Sequence, residues 1–183
     1  MKNILSPKIW WLLPLLLLGA IGCKKLLGML TFNVNDATNF TIPATGPLTN
    51  TVLTLPAIAV ASNSTSTYAS NKTTANYVQD VTLDQLTLTV TDPSTQNFDF
   101  LKSISLYIDT DASGNSKTLL ASLSPVPTGQ TTIRLTPSGN KFDLYLRTNT
   151  YTLFTTAELA QPLPQATNVR ADARFFVKAN VPQ

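Results

Sequence analysis

The stretch Val81-Thr82-Leu83-Asp84-Gln85-Leu86-Thr87-Leu88-Thr89-Val90 decides the architecture of this chain. Apolar residues fall at every second position, Val81 and Leu83, then Leu86, Leu88 and Val90, mostly with Thr between them. A period of two sends one set of side chains to a buried face and the other to solvent, which is the pattern of a half-buried strand. The phase slips at Asp84-Gln85, as it does where a β-bulge inserts one extra residue.

The same period extends outward in both directions. Upstream, Phe32 and Val34 alternate with Thr31, Asn33 and Asn35; after Asp36-Ala37 the pattern resumes at Phe40 and Ile42, and residues 52–57 read as a further strand. Downstream, Asp92-Pro93-Ser94 is a turn, followed by alternating runs at Ile104, Leu106 and Ile108, at 117–123, at Ile133 and Leu135, at 150–159 and at 169–181. In the last run Val169, Ala171, Ala173, Phe175 and Val177 share one face, and Phe175-Phe176 point to opposite faces. Phe142, Leu144 and Leu146 fit a strand or a short crossover helix equally well. Residues 61–76, ASNSTSTYASNKTTAN, contain almost nothing apolar and read as a long exposed loop, a length that implies either mobility or function. Eight or nine short strands with frequent turn signals predict an all-β fold, an antiparallel β-sandwich over residues 31–183. Composition agrees: 28 Thr suit strands, and 13 Ser and 14 Asn suit turns.

The first 22 residues differ from the rest. Lys2 and Lys8 precede an apolar stretch from Ile9 to Ile21 that ends at Gly22-Cys23. Thirteen residues make roughly 20 Å of helix, short of the roughly 30 Å hydrocarbon core of a bilayer, and Pro14 interrupts the run. This predicts a cleavable export signal over 1–22. Its end, Leu18-Gly19-Ala20-Ile21-Gly22-Cys23, resembles a bacterial lipobox, with Ala20 where that family prefers Leu. The resemblance implies cleavage between Gly22 and Cys23 by signal peptidase II and acylation of Cys23, the only cysteine of the chain. The other reading is an ordinary secretory signal with an incidental Cys.

Lipidation would hold the protein at the membrane by two or three acyl chains, since one alone binds marginally. Lys24-Lys25 follow, with neither the Asp that retains lipoproteins at the inner membrane nor the acidic run of surface-displayed ones. By resemblance this implies the outer membrane, facing the periplasm. Residues 23–30 form a short tether, in which Leu26-Leu27-Gly28-Met29-Leu30 either hugs the membrane or enters the domain. The sandwich pattern, with Asn35–Pro43, Leu83–Val90 and Phe98–Ile108 as its main stretches, is similar to that of small bacteroidete-type envelope lipoproteins with an immunoglobulin-like sandwich. That resemblance implies fold and location but transfers no catalytic residue.

Cleavage leaves 161 residues with 11 basic and 10 acidic side chains. Such a near-neutral domain lacks the basic footprint of a nucleic-acid binder. The absence of histidine removes the commonest general base and metal ligand. A single cysteine cannot form an intrachain disulfide. Together these point away from an enzyme and toward a domain that binds or scaffolds another envelope component.

Three constellations carry other chemistry. Asp109, Asp111, Ser113 and Asn115, with Gly114, match the first half of a calcium loop, but Leu120 stands where a bidentate Glu is needed; the alternative is a hairpin turn. Tyr68, Tyr77, Phe98 and Phe100 lie in or beside loops and would form an aromatic platform for a carbohydrate-binding accessory protein, or else serve as core lids. Ser138-Gly139-Asn140-Lys141 spells S-x-x-K without the companion motifs of the penicillin-binding proteins, and reads as a turn.

Overall fold

The computed structural model describes residues 28–47 and 52–180. The expected signal segment 1–22, the expected cleavage position at Gly22 and the expected acylation site Cys23 lie outside the described residues.

Among the described residues nine strands form one curled antiparallel sheet: β1 (Met29–Ile42), β2 (Val52–Thr54), β3 (Ile58–Ala61), β4 (Val78–Asp92), β5 (Leu101–Asp109), β6 (Thr118–Leu123), β7 (Thr132–Pro137), β8 (Thr150–Leu159) and β9 (Thr167–Asn180). Among the described residues two short α-helices, α1 (Ser64–Ser70) and α2 (Asp143–Leu146), and a 3₁₀ turn at Ala75–Tyr77 sit between strands. The strand order is β1-β9-β4-β7 and then β6-β5-β8-β2, with β3 also paired to β8. The two halves stack as the layers of a sandwich, joined by the short β6–β7 pairing at Ala121–Pro137 and Ser122–Thr136.

The all-β, two-layer architecture is the one the alternation predicts. Its strand order is that of two nested Greek keys, a double-sheet jelly roll, whereas the immunoglobulin arrangement divides its strands four and three in a different order. Order depends on long-range partners, above all the unbroken pairing of β1 with β9 from Met29–Asn180 to Ile42–Thr167. Period-two alternation is silent on partners.

β4 runs straight through the stretch 81–90, with Val81, Leu83, Leu86 and Leu88 buried. Its register against β9 shifts between Leu83 and Gln85, so the bulge falls at Asp84. β9 turns Val169, Ala171, Ala173, Phe175, Val177 and Ala179 into the core, while Phe176 is half-buried on the outer face. Phe142 and Tyr151 meet Phe175 edge-on at 6.2 Å, so one ring of β9 ties together both layers.

Three local expectations change. β1 begins at Met29, taking the last two residues of the expected tether into the sheet, with Leu30 packed on the core. The supposed pause at Asp36-Ala37 does not exist, because β1 continues with Asp36 facing inward. The expected exposed loop 61–76 holds α1 and a 3₁₀ turn at Ala75–Tyr77, with Ser64, Tyr68 and Thr73 buried. Propensity does not make that helix. Tyr68 does, by donating its hydroxyl to Leu146 O at 3.0 Å and packing edge-on against Phe32. At 141–147 the helical alternative is the one observed, with Phe142 and Leu146 buried and Leu144 outward.

Antiparallel pairing fixes two ends. One carries the starts of β1, β4, β6 and β8, the finish of β9, and the connections 62–77, 110–117 and 138–149. The other carries 43–47, 93–100, 124–131 and 160–166.

Candidate functional site

The outward positions of β1, β9 and β4 build a polar groove. Register sets Asn35 beside Arg174 and Ala37 beside Asp172 on one flank of β9, and Gln85 beside Arg174 on the other. These residues, with Asn63 and Arg170, border an open cavity of about 410 Å³. Arg170 donates from Nε to both Asp172 oxygens at 2.9 and 3.0 Å, and this hydrogen bonding with the added charge attraction raises its pKa. Arg174 donates to Asp84. The bulge makes that contact possible: with Leu83 and Leu86 both buried, Asp84 and Gln85 are turned outward together.

The groove therefore presents guanidinium donors, amide groups and carboxylate acceptors on a sheet whose other face is core. Its side chains can recognise hydroxyls, amides or carboxylates by hydrogen bonding. The signal in the sequence is the outward series Arg170-x-Asp172-x-Arg174, interleaved with the apolar positions that reveal the strand. An apolar reading of β9 passes over it.

Asp36 lies under this groove. It is only 3% exposed although it sits in strand β1 at the edge of its layer. Its Oδ1 accepts the Asn63 amide at 2.7 Å, and Asn63 Nδ2 donates to Asn35 O at 2.7 Å. Thus the residue before α1 latches onto the free edge of β1. Oδ2 has no hydrogen-bond partner among the described residues. Burial raises the Asp36 pKa, opposed by the Asn63 amide and by the nearby Ser62 and Tyr151 hydroxyls. Burial, and next the Asp36 charge, push Tyr151 well above its usual range and Tyr68 to about 12. An inward carboxylate on an edge strand also disfavours pairing with further strands.

The residues singled out from the sequence are dispersed. In the 109–115 turn Asp109 is buried, its Oδ1 accepting Thr110 N at 2.7 Å and its Oδ2 accepting Ser116 N at 3.0 Å. Asp111 Oδ1 accepts Ser113 N at 2.7 Å, and Ser113 Oγ accepts Asn115 N at 3.4 Å. Hydrogen bonds from the Ser113 side chain and backbone lower the Asp111 pKa. These oxygens close a turn on its own amides. Among the described residues no group of three or more His, Cys, Asp or Glu is placed to hold a metal ion.

The aromatic platform is corrected by the structure. Tyr68, Phe98 and Phe100 are 2%, 0% and 1% exposed, and Tyr77 alone reaches the surface. Phe98 and Phe100 pack on each other with centroids 6.3 Å apart. Large rings at loop bases gain more by closing the ends of the core than by waiting in water. At Ser138–Lys141 the Ser138 hydroxyl accepts Asn140 N at 3.2 Å, while Lys141 Nζ lies 3.3 Å from Asp80. Serine and lysine there serve a turn and an ion pair.

No protein-family model matches the chain. No curated protein matches it either. Among solved structures it is similar to a chain from Desmodium yellow mottle tymovirus, 11% identical, over 85% of this chain and 92% of that one, with a TM-score of 0.29. A likeness at that level carries no functional argument.

Proposed function

We propose that the chain is a lipid-anchored cell-envelope protein, acylated at Cys23 and held at the outer membrane facing the periplasm, whose β-sandwich binds another envelope component and performs no catalysis. The observation that carries the binding reading is the groove of Asn35, Gln85, Arg170, Asp172 and Arg174, a set of polar side chains held at fixed spacing by three paired strands. Sites on strands are positioned more rigidly than sites on loops. The lipobox at Leu18–Cys23 supports the anchor, and the lack of histidine supports binding over catalysis.

Cross-linked pull-down from native membranes tests this reading. A partner recovered with the natural chain and lost with Arg174→Glu supports it; unchanged recovery removes the groove from the reading. For the anchor, labelling with a palmitate analogue is expected to vanish in Cys23→Ala. A variant that still labels and stays in the membrane refutes lipidation at that residue.

A second reading, a carbohydrate-binding accessory lipoprotein, is favoured by the amide side chains of Asn35 and Gln85, which flank Arg174 on its two sides in the groove that also holds the Arg170–Asp172 pair. It now rests on the groove rather than on aromatics or calcium. A glycan-array signal lost in Gln85→Ala and unchanged by chelator would favour it, and silence on the array would remove it.

A further inference from the structure

We infer that the end of the sandwich bearing Met29, Tyr77 and Leu144 rests in the headgroup region of the bilayer that holds the lipid anchor, so that the domain stands on the membrane in one orientation. The inference deepens the proposed function and rests on acylation of Cys23.

Four large apolar side chains are exposed among the described residues: Met29 at 59%, Leu144 at 59%, Val52 at 53% and Tyr77 at 37%. Three of them belong to one end. Leu30, Ala179 and Val78 lie in one row across β1, β9 and β4, which puts Met29 and Tyr77 at its rim. Leu144 belongs to α2, fastened to the start of β4 by the Thr82–Lys141 bridge and by Phe142 N donating to Val81 O at 2.8 Å. Val52 pairs with Glu158 near the finish of β8, toward the opposite end.

Chain length selects the occupant. From Cys23 to Met29 are six residues, which reach at most about 20 Å even when fully extended. β1 alone, with 14 residues, is about 45 Å long at the rise of a strand. The anchor therefore draws this end, and no other, to the bilayer surface. Its chemistry suits that surface. A tyrosine ring with its polar tip belongs at the headgroup level, and Met and Leu gain from leaving water. Lys141 and Lys178 share the single carboxylate of Asp80, at 3.3 and 4.0 Å, leaving positive charge over for anionic headgroups. Lys24 and Lys25, next to the anchor, add to it.

The test uses the acylated full-length product in vesicles of phosphatidylethanolamine with a minority of phosphatidylglycerol, some of the lipid carrying a headgroup-level nitroxide quencher. Both natural tryptophans, Trp10 and Trp11, leave with the signal segment, so single tryptophans can be introduced as Leu144→Trp at this end and Thr128→Trp at the other. Quenching several-fold stronger for Leu144→Trp than for Thr128→Trp supports docking, and adding Met29→Ser with Tyr77→Ser is expected to reduce it. Equal, weak quenching in protein whose mass confirms acylation overturns the docking and leaves the anchor standing. Absence of the acyl mass overturns the anchor and the docking together. Circular dichroism of each variant identifies any loss of fold, and a second pair of probes, Tyr77→Trp against Thr128→Trp, decides if Leu144→Trp fails to fold.

Discussion

Asp36 shows how a single buried group ties the core to the groove above it. Because burial raises its pKa, the folded chain binds the proton more tightly than the unfolded chain does. Its contribution to stability is therefore most favourable below the ordinary carboxylate range and declines as pH rises through the folded-state pKa. Asp36→Asn, which keeps an acceptor for the Asn63 amide and removes the charge, is expected to melt above the natural chain at pH 7–8. The gap should close on acidification, as thermal melts across pH would show; a lower melting point at pH 7 would mean that the charge itself stabilises. Gly114 is a second position where one atom matters. Its φ is +66°, and an added Cβ would lie 3.0 Å from the Phe154 ring. Gly114→Ala is expected to cost roughly 1–3 kcal/mol, read as a lower urea midpoint with unchanged slope.

Among the elements, β9 has the most demanding position, paired on both sides and buried along one face. Its small inward residues, Ala171 and Ala173, leave room for Tyr151 and Leu153 from the other layer, with a residual void of only about 10 Å³. Ala171→Leu should therefore overpack the core and destabilise it by about 1–3 kcal/mol, measured by denaturant titration. The alternation of 169–181 made this strand and its inward face legible, and the phase slip in 81–90 made the bulge at Asp84 legible. α1 was not legible in the same way. STSTYAS has neither strong helix propensity nor a helical apolar stripe, and the segment is ordered by contacts with residues some 80 positions away, Leu146 and Thr148. The groove was hidden for a related reason: Asn35, Gln85 and Arg174 become neighbours only through the β1–β9–β4 pairing.

At the scale of the whole molecule, the segment proposed to direct export and the β-domain differ in optical character. All tryptophan lies at positions 10 and 11, so protein matured at Cys23 is expected to show tyrosine emission only, without the tryptophan band. Tryptophan fluorescence in protein purified from membranes would show that the segment is retained. The same placement leaves the polar groove on the side of the sandwich and the apolar rim at its end. A domain resting on that end keeps the groove open to the space above the bilayer, which suits the binding role proposed for it.

The sequence by itself determined the strand-rich character, the approximate position of most strands, the bulge and the inward faces, because period-two alternation and turn chemistry are local properties. Its stretch Leu18–Cys23 resembles a lipobox and carries the expectation of an anchor at Cys23. The tertiary structure decided the jelly-roll strand order, the helix in 61–76 and the burial of Tyr68, Phe98 and Phe100. It also decided the position of Asp36 in the core and the gathering of Asn35, Gln85, Arg170, Asp172 and Arg174 into one groove. Each of these depends on which distant segments pair, and pairing is settled by the packing of whole faces against one another.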